Sequence, residues 1–146
     1  MVRLSLIIAT YNRSASLIQT LQSVVEQNAP RNERECVVVN NNSTDDTAER
    51  FAEFAASYPG FNLRMVFEPN QGLSFARNRG IRDSEGEYIA IIDDDERIAK
   101  SFISAYISLF DTEPEAVAAG GPIVAEYPDG RPQWMSHYTE RMIANA

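Results

Sequence analysis

The protein has 146 residues, of which 44% are hydrophobic and 23% are charged. This balance is typical of one globular domain and excludes a disordered chain. Its 21 acidic residues outnumber its 13 basic residues, and the resulting net charge of −8 disfavours nucleic acid as a partner. The single cysteine, Cys36, excludes an internal disulfide and fits a reducing compartment. The apolar runs are too short for a membrane-spanning helix or a secretory signal, so we expect a cytoplasmic protein.

Short apolar runs alternate with longer amphipathic segments along the chain. The apolar runs predict strands over residues 4–9, 36–39, 63–67 and 88–92, and a fifth, interrupted strand over 116–124. Helices are predicted between them, the first capped by Ser14 and the second by Ser43 or Thr44, with Asp45 and Asp46 in its first turn. The alternation is typical of right-handed β-α-β units in an α/β fold with a mostly parallel sheet.

Polar clusters follow three of the predicted strands. They are Thr10-Tyr11-Asn12-Arg13, Asn40-Asn41-Asn42-Ser43 and Asp93-Asp94-Asp95-Glu96. Because ligands bind at the carboxyl ends of the strands of an open parallel sheet, we expect all three clusters at one edge. This convergence predicts a ligand site there.

The acidic cluster predicts a site for a hard divalent cation. Mg²⁺ and Mn²⁺ prefer oxygen ligands and take one or two carboxylates together with substrate phosphates and water. Alternate residues of an extended segment point the same way, so Asp93 and Asp95 can face one site while Asp94 points elsewhere. The alternative is a solvated acidic turn that caps the next helix. We favour the cation, because the cluster directly follows an apolar strand.

Two further groups of residues leave alternatives open. The asparagine run fits either turn formation or contacts with a base or ribose, since Asn offers both a donor and an acceptor. Arg77 lies in a helical pattern and could bind a diphosphate through two nitrogens. It could equally form an ion pair with the acidic cluster.

Five segments in order resemble family 2 glycosyltransferases, nucleotide-sugar-dependent enzymes of the GT-A fold, over nearly the whole chain. They are LSLIIATYNR (4–13), VVNNNSTDDT (38–47), NQGLSFARNRG (70–80), GEYIAIIDDD (86–95) and GGP (120–122). The resemblance implies a Rossmann-like, mostly parallel sheet flanked by helices and incomplete at its C-terminal side. It also implies a nucleotide-sugar site at residues 1–125, followed at 126–146 by the truncated start of an acceptor half.

The resemblance also implies roles for individual residues. The donor nucleotide would contact Ala9, Thr10, Tyr11, Asn12, Asn40, Asn41, Arg77, Asp93 and Asp94. Asp95, with Asp93, would hold Mn²⁺ or Mg²⁺. Asn40 and Asn41 stand where the family often has acids, a change that keeps hydrogen bonding and removes charge. Glu96 stands where many members have Asp.

The implied reaction transfers a sugar, with inversion, from a nucleoside diphosphate to an acceptor hydroxyl. The acceptor would be a glycan, a lipid-linked molecule or a small molecule, as in polysaccharide biosynthesis, in the cytoplasm or peripherally on the inner membrane face. The general base is expected beyond Ala146, so this chain would bind the donor without transferring the sugar. Self-association through an uncovered edge is also expected, with residues 102–110 or residues 122–134 as its apolar surface.

Other classes fit less well. A sugar-nucleotide pyrophosphorylase needs a glycine-rich basic loop after the first strand, and a metal-dependent phosphatase needs a nucleophilic Asp there. This sequence has neither. A non-catalytic nucleotide-binding or assembly module remains the main alternative, favoured by the amide at Asn40.

Overall fold

The chain forms an α/β fold around a four-stranded parallel sheet. The computed structural model describes residues 1–127, 130–136 and 138–140. Its strands are β1 (Leu4–Thr10), β2 (Arg34–Asn40), β3 (Leu63–Phe67) and β4 (Tyr88–Asp93), in the order β3-β2-β1-β4. Its helices are α1 (Ser14–Val25), α2 (Thr47–Ala56), α3 (Leu73–Asp83) and α4 (Phe102–Thr112), and a short 3-10 turn spans Arg31–Glu33. The mostly parallel sheet predicted from the sequence is therefore confirmed.

The two faces of the sheet are covered by different helices. Leu6 and Ile8 of β1 belong to a core that includes Leu17 and Leu21 of α1 and Ile103 of α4. Side chains of the opposite face, Ile7, Val37 and Val39, form a second core with Ala76 of α3. Both faces of β1 and β2 are thus buried, which explains why their sequences are continuous aliphatic runs rather than alternating apolar and polar residues.

The helix starts differ from the predicted ones. Ser14 is the first residue of α1 rather than its cap, and the N-cap residue Arg13 makes no side-chain capping bond. The start of α2 at Thr47 lies later than predicted, with Asp46 as its N-cap residue. Ser43 and Thr44 do not cap it, because the Ser43 hydroxyl accepts from the backbone N–H of Asn12 and the Thr44 hydroxyl accepts from the Asn12 side-chain amide. Tertiary contacts therefore override the local capping preference.

Two other expectations were wrong. No strand forms within the described residues 113–127, where Gly120, Gly121 and Pro122 interrupt the predicted fifth strand. Helix α4 buries Ile103 and Ile107 and leaves Leu109 as its exposed large apolar residue, so the first apolar candidate, residues 102–110, is largely covered. In the second candidate, residues 122–134, Ile123, Val124 and Trp134 are exposed. The exposed large apolar side chains of the first unit lie mostly on or beside α3 and β4, and include Phe67, Leu73, Phe75, Ile81, Ile89 and Ile91.

The chain divides into two compact units, Met1–Thr112 and Glu113–Ala146. The first contains the sheet and all four helices. The predicted acceptor half at 126–146 includes residues 128, 129, 137 and 141–146, which lie outside the described residues. No helix of the described residues is both long and apolar enough to span a bilayer.

Candidate functional site

The three predicted polar clusters meet at the carboxyl edge of the sheet. Thr10, Asn40 and Asp93 are the last residues of β1, β2 and β4. The backbone N–H of Asn41 donates to the carbonyl of Thr10 at 2.9 Å, and the Thr10 hydroxyl donates to Asp94 Oδ2 at 2.7 Å. The parallel register brings these ends together, as the sequence predicts.

Asp94 is the buried member of the acidic cluster. Its side chain is only 8% exposed, and its two oxygens accept from Thr10 Oγ1 and from Arg13 Nη1. Its backbone carbonyl accepts from the hydroxyl of Thr20 in α1. Asp94 therefore ties the ends of β1 and β4 to α1 and has no open side toward a ligand.

Asp93 and Asp95 are the exposed members, with 54% and 55% of their side chains accessible. Asp93 Oδ1 lies 2.9 Å from Arg77 Nη2, and Asp95 Oδ2 lies 2.8 Å from Arg13 Nη1. The alternation predicted for Asp93, Asp94 and Asp95 is thus present. Of the two roles open for Arg77, the structure shows the ion pair with the acidic cluster.

The donor set fits a hard cation that is shared with a ligand. Asp93 Oδ2 and Asp95 Oδ1 accept no hydrogen bond from any residue that the structure describes. No group of three or more metal-ligating side chains gathers among the described residues. Two carboxylate oxygens of this kind suit Mg²⁺ or Mn²⁺ that takes its remaining ligands from phosphates and water.

Asn12 joins the first two clusters. It has a φ of 52°, in the left-handed region that Asn tolerates better than most residues. Its side-chain oxygen accepts from the backbone N–H groups of Thr44 and Asp45, at 2.7 and 3.3 Å. The neighbouring Tyr11 is 47% exposed at the same edge. Asn12 thus shapes the loop, and Tyr11 presents an open ring beside it.

The asparagine run shows the turn chemistry that was one of its two interpretations. Asn40 Oδ1 accepts from the backbone N–H of Ser43 at 2.9 Å. Asn41 Nδ2 donates to the carbonyls of Glu68 and Asn70, and its Oδ1 accepts from the N–H of Gly72. The Asn41 amide therefore fastens the β3–α3 loop to the end of β2.

Helix α3 carries Arg77 to the edge through a close approach to the sheet. A Cβ added at Gly80 would lie 2.3 Å from Ile7 Cγ2, so only glycine permits this distance. Arg77 Nε is buried and has no partner among the described residues. The end of the side chain reaches the edge through Nη2, which pairs with Asp93.

Two residues at this edge, Arg13 and Glu68, have no role in the site predicted from the sequence. Arg13 holds both Asp94 and Asp95, and Glu68 accepts from the N–H and side-chain amide of Asn70. Glu68 directly follows β3 and Arg13 lies three residues after β1, and this position near a strand end is the signal that could have found them. Arg13 and Asp95 also line a cavity of about 410 Å³ at the start of α1, together with Asn12, Ser14, Ala15, Ser16 and Asp45.

The electrostatics of the edge follow from these contacts. The carboxylates of Asp94 and Asp95 raise the pKa of Arg13. A hydrogen bond from the Thr47 side chain lowers the pKa of Asp45, and one from the Asn70 backbone lowers that of Glu68. Asp45 and Glu68 therefore stay ionised, and Arg13 stays charged, at neutral pH.

The fold and this edge define an α/β protein with a ligand site at the ends of parallel strands. The pattern of Glycosyl transferase family 2 matches residues 5–146. The chain therefore belongs to glycosyltransferase family 2, as its sequence motifs imply.

Curated relatives agree with this family. The succinoglycan biosynthesis protein ExoM of Rhizobium meliloti is 30% identical over 88% of this chain and 41% of its own length. The glycosyltransferase AglE of Haloferax volcanii is 31% identical over 86% of this chain and 41% of its own length. The chain thus spans about two fifths of the length of these relatives.

Solved structures show the same architecture. A mannosyltransferase of Pyrobaculum calidifontis in complex with GDP-Man and Mn²⁺ has a TM-score of 0.69 and 32% identity, over 73% of this chain and 32% of that chain. TarS of S. aureus in complex with UDP-GlcNAc has a TM-score of 0.70 and 27% identity, over 77% and 32%. These likenesses confirm the GT-A fold.

Proposed function

We propose that the carboxyl edge binds the nucleoside-diphosphate sugar of a glycosyl transfer reaction. The observation that carries this proposal is the pair of exposed carboxylates at the end of β4, Asp93 beside Arg77 and Asp95 beside Arg13, at the edge where β1 and β2 also end. Carboxylates at such an edge repel a free diphosphate, whereas a shared cation makes the two compatible. The solved relatives, one with GDP-Man and Mn²⁺ and one with UDP-GlcNAc, support this reading.

The proposed roles follow the geometry of the edge. Ala9 and Thr10 end β1, and with Tyr11 and Asn12, which follow it, they would form the wall for the base and ribose, with the Tyr11 ring as the exposed surface. Asn40 and Asn41 support this wall by holding the turn at Ser43 and the β3–α3 loop. Asp94 would support the same wall through its hydrogen bonds from Thr10 and Arg13. Asp93 would face the ribose and the diphosphate.

The cation is proposed to be Mn²⁺ or Mg²⁺, held by Asp95 with Asp93. When bound, such an ion neutralises the charge that develops on the departing diphosphate. Arg77 lies beside Asp93 and would add a donor to the same diphosphate. The chain's own contribution is therefore to bind the donor and to orient its leaving group.

The transfer itself is proposed to invert the anomeric centre in one displacement. That step needs a base for the acceptor hydroxyl, and we assign this role to no described residue. General bases contribute a factor of about 10²–10⁴ in rate. We therefore expect the 146-residue chain to bind the donor with little or no transfer.

The acceptor is proposed to be a glycan, a lipid-linked molecule or a small molecule. One relative of Haloferax volcanii, 26% identical over 91% of this chain, is a glucosyl-dolichyl phosphate glucuronosyltransferase, and ExoM acts in succinoglycan biosynthesis. These names support polysaccharide or lipid-linked acceptors. We place the reaction in the cytoplasm or on the inner membrane face, in keeping with the single, buried cysteine.

Calorimetry with GDP and UDP, each with and without Mn²⁺, tests donor binding. We expect binding of at least one nucleotide that strengthens with Mn²⁺ and that Asp95→Asn weakens at least tenfold. Asp46→Asn is the matched control, because Asp46 precedes α2 at the same edge and makes no side-chain capping bond. Nucleotide affinity that depends on neither Mn²⁺ nor Asp95 would contradict the proposal.

A non-catalytic nucleotide-binding or assembly module is the second candidate. The pairing of Asp93 with Arg77 and of Asp95 with Arg13 favours it, since these ion pairs neutralise the acids without a metal. Incubating the longest natural form of the protein with a panel of nucleoside-diphosphate sugars and following nucleotide release separates the two. Cation-dependent release identifies the enzyme, whereas binding without release identifies the module.

A further inference from the structure

We propose that Arg13 is the internal counter-cation of Asp94 and Asp95, and that a divalent cation displaces its Nη1 from Asp95 when the donor site fills. The inference rests on the proposed function, because it assumes that Asp95 receives the cation. It adds a role for a residue that neither the acidic motif nor the proposed nucleotide contacts include.

The position of Arg13 supports a bridging role. One guanidinium nitrogen, Nη1, lies 2.8 Å from Asp95 Oδ2 and 3.3 Å from Asp94 Oδ1. Adjacent carboxylates repel each other, and a cation shared between them removes this repulsion. In the absence of a metal, Arg13 therefore supplies the positive charge that the cluster requires.

Asp94 and Asp95, the two acids that contact Arg13, differ in their other hydrogen bonds. Asp94 is buried and also accepts from Thr10 Oγ1, so it stays in place when Arg13 moves. Asp95 is 55% exposed, and Arg13 provides its only hydrogen bond from the described residues. A competing cation therefore has access to Asp95 and not to Asp94.

Of the two arginines that pair with the exposed acids, Arg13 has the side chain that can move away from its carboxylate more easily. Its side chain is 56% exposed and borders the 410 Å³ cavity at the start of α1, which offers room for the displaced guanidinium. Arg77, by contrast, is 36% exposed and has a buried Nε. The exchange is therefore assigned to Arg13, while Arg77 stays beside Asp93.

The first test measures Mn²⁺ binding by calorimetry, with GDP or UDP present, for wild type and Arg13→Gln. Loss of a competing surface ion pair is expected to tighten Mn²⁺ binding about two- to fivefold. Arg13→Lys keeps the charge and should stay close to wild type. Arg31→Gln is the control for net charge, because Arg31 is exposed in the 3-10 turn that leads into the amino end of β2.

The second test needs no metal. In the presence of a chelator, Arg13→Gln should lower the Tm, because Asp94 and Asp95 then repel each other without compensation. Adding Asp95→Asn to that variant should recover part of the loss. The same Asp95→Asn change in wild type should give no gain, since it removes an ion pair there.

The outcomes separate this inference from the proposed function. Mn²⁺ that binds wild type but binds Arg13→Gln equally or more weakly would overturn the exchange and leave donor binding intact. Absence of Mn²⁺ binding in both proteins would overturn the exchange together with the proposed function. A double variant no more stable than Arg13→Gln alone would overturn the counter-cation role itself.

Discussion

Asn12 shows how a single residue shapes the edge of the sheet. It accepts two backbone hydrogen bonds from the β2–α2 loop while its own backbone stays at a φ of 52°. A left-handed backbone costs most L-residues about 1–2 kcal/mol, and Asn and Gly carry less of this cost. The side chain and the backbone of Asn12 therefore make separable contributions to stability.

A pair of substitutions separates them. Asn12→Gly removes the side-chain bonds and relaxes the backbone, whereas Asn12→Ala removes the bonds and keeps the strain. We expect the Ala variant to be less stable than the Gly variant by about 1 kcal/mol in urea denaturation. Equal stabilities would show that the left-handed backbone at this position carries no strain.

The sequence predicts the exposure of some side chains at the site but not their contacts. The exposure of Asp93 and Asp95 and the burial of Asp94 match the predicted alternation, although β4 ends at Asp93 and the next two acids lie in a turn. The contacts of Arg13 and Asn41 could not be predicted, because each reaches a partner distant along the chain. Such partners depend on the sheet order, which no local pattern contains.

Gly80 determines the distance between α3 and β1, and with it the placement of Arg77. Gly80→Ala would place its Cβ 2.3 Å from Ile7 Cγ2. Overpacking of this kind costs about 1–3 kcal/mol, which exceeds the helical advantage of Ala over Gly of about 1 kcal/mol. We expect a net loss of unfolding free energy and weaker binding of nucleoside diphosphate.

The control for this substitution is Gly120→Ala. A Cβ at Gly120 meets nothing within 4 Å, and its φ lies outside the left-handed region. Chemical denaturation should give a midpoint close to that of wild type for this control. A Gly80→Ala protein as stable as the control would show that α3 can move away from β1 without loss.

The β3–α3 loop should respond to acid through Glu68. The N–H and amide of Asn70 hold the pKa of Glu68 below its usual value near 4.3. Because the folded state favours the carboxylate, this stabilisation is complete above the unfolded pKa and is lost as the pH falls through the folded pKa. Thermal unfolding from pH 6 to pH 3 should therefore show a smaller decrease for Glu68→Gln than for wild type. Parallel curves would contradict this assignment.

At the scale of elements, the sequence predicted all four strands of the sheet and the four helices. These elements carry strong hydrophobic periodicity, which is the most dependable local signal. The starts of α1 and α2 were wrong, because the hydroxyl groups that fit local caps accept from other elements, Ser14 from Arg50 and Ser43 and Thr44 from Asn12. The fifth strand was wrong as well, and Pro122 lacks the N–H that a strand requires.

At the scale of the molecule, β4 is an edge strand of the sheet formed by the described residues. Ile89 and Ile91 on this strand are 44% and 43% exposed. An edge with unpaired backbone groups and apolar side chains favours pairing with a second copy related by a two-fold axis. The self-association expected from the sequence is thus proposed for β4 rather than for α4.

Light scattering over a range of concentrations tests this proposal. We expect the mean molecular mass of wild type to rise with concentration. The mass of Ile89→Lys should stay at that of a monomer, because a lysine on an edge strand opposes pairing. Leu109→Lys is the control, since Leu109 is an exposed apolar residue of α4. If wild type is monomeric throughout, or if both variants behave alike, β4 is not the interface.

A crystal structure of the chain with Mn²⁺ and the nucleoside diphosphate that binds most tightly would show whether the carboxyl edge is the donor site. We expect anomalous density for manganese beside the carboxylates of Asp95 and Asp93, in contact with the diphosphate, at the carboxyl edge between β1 and β4. Manganese or nucleotide at another place on the protein, with Asp95 still paired to Arg13, would contradict this expectation.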